Sequence, residues 1–276
     1  MGPFSKVWDL VNVWSVRATS VDSGIALRQC GCADPACAGL CVQNVPRRTF
    51  YATAACFNKP HPGYVGTDDP EWILRAAARA VPRELLHLVI VIANHDCYGG
   101  RAVPDQSMVF VTLDPVAPLD WTRLVAHGCG HTIGRLAEER VVCKQKDDAP
   151  CQPNQATKVE VDASTVWWVR LARPHEIDRA GRFRAQHHCG DPLTPTGQPK
   201  GVGPNNAYYA MLGAFWGCQN ILDADDQLGC DQPQDSRGKD FYRPMAECRM
   251  RKLAMDFCVV CDHEIASRVM DVCAVW

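Results

Sequence analysis

Polar and apolar positions alternate loosely at the start of the chain. Val7 to Val21, VWDLVNVWSVRATSV, is rich in β-branched and aromatic residues and predicts a long first strand. Asp22-Ser23-Gly24 then supplies turn residues. The period changes at Asp69-Pro70-Glu71, where a capping acid and a proline precede WILRAAARAV, the pattern of a capped helix. Leu85 to Ala93, LLHLVIVIA, is an apolar run of strand length and predicts a central strand buried on both faces, with His87 as a hydrogen-bonded core residue. Asn94 to Gly100 reads as a loop, and Ser107 to Leu113, SMVFVTL, as a further strand. Pro115 and Pro118 separate that strand from a helical pattern over Trp121 to Leu136, with Asp120 as its N-cap.

Beyond this helix the pattern weakens. Cys143 to Ala163 is polar and irregular, and Val166 to Leu171, VWWVRL, is a short apolar island. Arg173 to Asn206 reads as a long loop, with His175, His187 and His188 facing solvent. Tyr208 to Trp216 is apolar, Asp223 to Lys239 is acidic and exposed, and Phe241 to Met250 forms a turn. Cys258-Val259-Val260-Cys261 leads into a closing amphipathic helix from about His263 to Val272. At 276 residues the length suggests one large domain or two small ones; the chain is taken as a single domain, 1–276, with a sheet part over about 1–119, a central helix over about 120–137 and a C-terminal part over about 138–276.

Composition narrows the class. Hydrophobic residues make up 47 % and charged residues 22 %, an ordinary globular balance. The formal net charge of −2 provides no basic stripe, so nucleic acid is not an expected partner. No apolar run approaches the roughly 18 residues of a membrane-spanning helix. Sixteen cysteines point to an oxidising compartment and a disulfide-rich fold, hence a secreted or periplasmic protein, although Met1 to Lys6 lacks the features of a secretory signal. Cys30, Cys32, Cys37 and Cys41 are expected to form disulfides, with each other or with Cys56, over a small zinc site. Cys258 and Cys261 have the same two alternatives, with His263 as the third ligand of a C-x-x-C-x-H zinc site, and disulfide pairing is the expectation.

The helical stretch at 121–136 carries the chemistry. His127 and His131 stand four residues apart, the spacing that brings two side chains to one helical face. Two imidazoles so placed can hold zinc at roughly 2.0–2.1 Å. The zinc-hydrolase pattern H-E-x-x-H adds a glutamate as general base. Here that position is Gly128. A catalytic zinc site takes three protein ligands and keeps one position open. In metzincins, H-E-x-x-H-x-x-G-x-x-H/D places the third ligand where this chain has Ala137; Glu138 is the next group able to ligate, followed by Glu139.

HGCGHTIGRLAEE resembles the H-E-x-G-H…L-A-D-E segment of the IgA-protease-like zinc metallopeptidases of bacteria. FYRP followed by Cys248-Arg249-Met250, and then FCVVC at 257–261, is similar to that family's R-P-x-x-x-C-x-M and F-C-x-x-C ending. Asn12-Val13-Trp14 with Ser23-Gly24, and Tyr98-Gly99-Gly100, also resemble it, so the likeness runs from about Val7 to about Ile265. The resemblance implies a metzincin-like α+β fold with a twisted mixed sheet, an active-site helix and a methionine turn, with Met250 as its methionine and Met245 second. It implies Zn²⁺ held by His127, His131 and Glu138, the last standing where the family has aspartate, and a protein or peptide as substrate or ligand. Gly128 departs from the family's catalytic glutamate. The expected function is therefore metallopeptidase-type hydrolysis of peptide bonds through a zinc-bound water, impaired by loss of a base that contributes typically 10²–10⁴-fold. The alternative is an inactive pseudopeptidase acting as a binding or scaffold protein, with or without zinc.

Overall fold

The computed structural model describes residues 2–22, 25–27, 48–49, 51, 53–55, 65–94, 99–113, 120–137, 153–154, 156–157, 160–161, 163–180, 182–187, 212–216, 241–245, 248–250, 253 and 255–274. These residues form a mixed α+β structure with three small sheets. The chain divides into two compact units, one over Trp8–Ile133 and one combining Met1–Val7 with Gly134–Trp276.

In the first of these, β1 (Ala26–Leu27), β2 (Thr53–Ala55) and β3 (Gly66–Thr67) make a small sheet in which β1 and β2 are parallel and β3 is antiparallel to β2. Asp69 caps α2 (Pro70–Ala77) as its sequence predicts, accepting from the Trp72 amide at 2.8 Å. β4 (Val89–Ala93), β5 (Gly100–Val103) and β6 (Met108–Thr112) form the second sheet in the order β4-β6-β5. β6 pairs parallel with β4 and antiparallel with β5, and all five of its residues are buried. Ile25, Val65, Ile73, Val91, Met108 and Phe110 share one core. α3 (Asp120–Thr132) packs on β5 and β6.

Two predicted elements differ. Val7 to Val21 is not a strand: residues 8–10 form a short 3-10 turn and 11–20 have no regular structure. Val7 is buried but the apolar side chains after it lie largely exposed, Trp14 at 64 %, and an alternating pattern becomes a strand only where a neighbouring strand takes up its backbone groups. The run at 85–93 begins with a 3-10 turn (Arg83–Leu85), leaves His87 exposed and supplies an outer strand rather than a central one. Along β4, Val91 and Ala93 are buried whereas Ile90 and Ile92 are 40 % and 48 % exposed, so only one face is covered. The doubly buried central strand is β6.

In the other unit, α1 (Pro3–Lys6) packs on α4 (Val259–Ala274). Phe4 meets Phe257 edge to face at 6.4 Å, and Lys6 pairs with Asp262. β7 (Ala156–Thr157), β8 (Ala185–His187), β9 (Gly213–Trp216) and β10 (Phe241–Arg243) form a sheet ordered β7-β10-β9-β8. The apolar island becomes a 3-10 turn over Trp167–Leu171 against α4, with Trp168 fully buried. The expected loop at 173–206 thus contains β8, and the closing helix starts four residues earlier than its amphipathic pattern suggests.

Candidate metal centres

On α3, residues 128–130 and Thr132 are buried while His127 and His131 are half-buried. The four-residue spacing turns both imidazoles the same way. Their Nε2 atoms lie 3.1 Å apart, with the rings edge to face, 4.7 Å between centroids. Two nitrogens bound tetrahedrally at roughly 2.0–2.1 Å from one zinc would be about 3.3–3.4 Å apart. The pair therefore fits a shared ion with a shift of a few tenths of an ångström. Without a cation, the same distance fits an N–H···N hydrogen bond between the two rings. Among the described residues, no third histidine, cysteine or acid completes a metal set with the pair. Glu138 and Glu139 lie outside the described residues, as do Cys30, Cys32, Cys37 and Cys41.

Gly128 has a packing role that its place in the motif does not reveal. A Cβ there would sit 2.5 Å from Val109 Cγ1 and 3.1 Å from Val109 Cγ2, closer than side-chain carbons approach. Val109 is a stiff β-branched residue within the fully buried β6. Glycine is what lets helix and strand meet at this distance. The position where the zinc-hydrolase pattern has glutamate is thus a close contact between α3 and β6. Cys129, next along, is buried, and desolvation pushes its thiol from 9.0 up to about 12. It stays a neutral thiol.

The Ile133 amide donates to the Cys129 carbonyl at 2.8 Å, closing the last turn, and Arg135 takes a left-handed φ of 52°. The helix ends here rather than at the predicted Leu136. In the other unit, fully buried Asn154 fixes Ala137 from both sides. The Ala137 N–H donates to Asn154 Oδ1 at 2.7 Å, and Asn154 Nδ2 donates to the Ala137 carbonyl at 3.1 Å. The backbone beside Glu138 is thereby held. Nothing in the polar run around Asn154 signalled this role.

A second cluster lies at the start of α4. Cys248, Cys258 and Cys261 bring their sulfurs within 4.8 Å of one another, all buried, and this group could hold a metal ion. Cys258 immediately precedes the helix: the Asp262 amide donates to its carbonyl at 2.8 Å, and the Cys261 amide donates to its Sγ at 3.5 Å, in the manner of an N-cap. The Cys258 amide donates in turn to Cys248 Sγ at 3.3 Å. Cys248 and Cys261 sulfurs are 3.6 Å apart, far from the roughly 2.05 Å of a disulfide. Cys258 and Cys261 are not joined in the expected disulfide; with Cys248 they form a buried group of three sulfurs. Burial pushes the Cys248 thiol from 9.0 up to about 12 and that of Cys261 well upward. The spacing C-x-x-C flagged two of these residues; Cys248 was grouped with the methionine turn instead. His263 does not join the cluster, its ring lying 6.0 Å from that of Trp167. Met250 is fully buried in the turn after Cys248, and Met245 is half-buried.

No protein-family profile matches the chain, and no curated protein matches it.

Proposed function

We propose that this protein is a zinc-binding protein of metallopeptidase type in which peptide hydrolysis is impaired. The observation that carries the reading is the 3.1 Å separation of the His127 and His131 Nε2 atoms on one helical face. Glu138 is proposed as the third ligand, on the family resemblance of its segment. Bound there, zinc would supply Lewis acidity toward a substrate carbonyl and a water of lowered pKa. The chain's own contribution at Gly128 is not a proton acceptor, because that position carries no side chain and a Cβ would meet Val109. The proposed compartment is secreted or periplasmic, from the cysteine content, and the proposed ligand class is protein or peptide. No helix of the described residues is long and apolar enough to cross a membrane.

The contact between Gly128 and Val109 favours a second reading, a pseudopeptidase that keeps a metal-binding scaffold for recognition. Restoring a base requires moving a strand side chain as well as replacing one residue. The two readings separate in one assay. Zinc content and cleavage of an unfolded protein substrate are measured for the native chain and for His131→Ala. Zinc at the pair with slow, chelator-sensitive cleavage, both lost in His131→Ala, supports the impaired peptidase. Zinc without cleavage supports the pseudopeptidase, and no histidine-dependent zinc removes both metal-bound forms.

A further inference from the structure

We propose that Cys248, Cys258 and Cys261 form a second metal site, a three-thiolate structural centre for zinc that ties the turn at 248–250 to the N-terminus of α4. The proposal does not rest on the histidine pair or on any peptidase reading.

Three observations carry it. The first is number and distance. In tetrahedral zinc–thiolate geometry, with Zn–S about 2.3 Å, sulfurs lie about 3.8 Å apart. Cys248 and Cys261 stand at 3.6 Å, and all three sulfurs fall within 4.8 Å. A disulfide would use two of the three and leave a buried thiol behind. The second is the set of donors facing the sulfurs. The Cys258 amide points to Cys248 Sγ and the Cys261 amide to Cys258 Sγ, at 3.3 and 3.5 Å. Amide hydrogens directed at sulfur stabilise the thiolate form, and the positive end of the α4 dipole acts in the same direction. The third is burial. Cys248 and Cys261 are 0 % exposed and Cys258 3 %, so the cluster excludes water and large oxidants. Soft sulfur donors of this kind select zinc over the oxygen-seeking cations magnesium and calcium.

Binding is balanced by proton release: each thiol that coordinates gives its proton to solvent, and no electrons move. Cys258 and Cys261 fix the first turn of α4, whereas Cys248 comes from the preceding turn. The ion would therefore tie that turn to the helix across the ten residues from Cys248 to Cys258. A structural zinc site closes with a fourth donor, and among the described residues no further His, Cys, Asp or Glu joins the three cysteines.

The test uses the full native chain, prepared under reducing conditions and stripped with chelator, then titrated with cobalt(II) and zinc(II) alone. The expected result is one cobalt equivalent showing sulfur-to-cobalt charge-transfer absorption, displaced by zinc. That signal survives in His127→Ala/His131→Ala and is abolished in Cys261→Ser. In the native chain, zinc should also protect three thiols from alkylation, and chelator should restore their reactivity. Absence of charge-transfer absorption in the native chain overturns the proposal, as does peptide mapping of native chain alkylated without reductant that finds a disulfide between two of these three cysteines. Because both readouts are taken on the native chain, misfolding of a variant cannot mimic either result. Failure of the histidine pair to bind metal would leave the cysteine signal in place.

Discussion

The histidine pair on α3 and the cysteine cluster at α4 put metal-ligating groups together by opposite routes. His127 and His131 are neighbours because a helix makes them so, and their partial exposure leaves them open to solvent and ligands. Cys248, Cys258 and Cys261 meet only because a turn folds back on a helix N-terminus, and they are sealed from water. An open pair suits chemistry on an incoming molecule, whereas a closed triad suits holding the fold together. The contrast extends to what surrounds each. A glycine lets the helix of the pair meet β6 closely, so the position beside the histidines is committed to packing. At the triad, the neighbouring backbone amides are committed to the sulfurs.

The sharpest way to break the comparison is to place the glutamate of the zinc-hydrolase pattern at position 128. Gly128→Glu should destabilise the protein by at least about 3 kcal/mol, since it forces a carboxylate-bearing side chain against Val109 in a packed sheet. It should restore no proteolysis by itself. Adding Val109→Ala opens space and should recover a measurable part of the loss, which a double-mutant cycle in urea would read as coupling between the two positions. Additive effects would mean that helix and strand do not meet here.

A pH series separates the lone thiol of α3 from the triad. The Cys129 thiol is raised from 9.0 to about 12 in the folded protein by burial. The folded state thus keeps a proton that the unfolded chain releases above about pH 9. Its contribution is fully present below that pH and declines as pH rises toward 12, by up to about 4 kcal/mol. Metal-free protein should lose stability in urea melts between pH 8.5 and 11, and Cys129→Ala should flatten part of that slope. Zinc at the triad has the opposite sign. Its thiolates have already lost their protons in the folded state, so zinc-loaded protein should gain stability as pH rises toward 9. A slope indifferent to zinc would erase the distinction.

Asn154→Ala should cost about 2–4 kcal/mol, because it strips both backbone groups of buried Ala137 of their partners. It should leave the cobalt–thiolate absorption unchanged. The smallest effect belongs to His263→Ala. Although C-x-x-C-x-H is a zinc spacing, His263 stands apart from the triad, so this variant should keep the full charge-transfer intensity. A loss would return the site to the spacing rule.

These two regions also show what could be read from the residues alone. The histidine pair, the Asp69 cap of α2 and the strand at 108–112 follow from local periodicity and were legible. Glu138 was named from sequence but lies outside the described residues. The role of Gly128 was not legible, because its reason is Val109, nineteen residues away on another element. Cys248 was missed for the same reason: its partners are set by a turn that no spacing rule covers. The first strand failed because alternation in Val7 to Val21 reports an apolar face but not whether another strand lies beside it. The apolar run at 85–93 misled because Ile90 and Ile92 face outward on a strand with one neighbour, where composition alone reads as doubly buried.

The central claim is that α3 holds zinc through His127 and His131 without efficient hydrolysis. Its most direct test is X-ray absorption at the zinc edge on Cys261→Ser protein reconstituted with one zinc equivalent, paired with a proteolysis assay on the same sample. The account predicts a shell of nitrogen and oxygen donors near 2.0–2.1 Å with imidazole scattering, and cleavage at least about 10²-fold below that of a metallopeptidase with its base. Zinc that shows no imidazole scattering, or cleavage at full metallopeptidase rates, would contradict it.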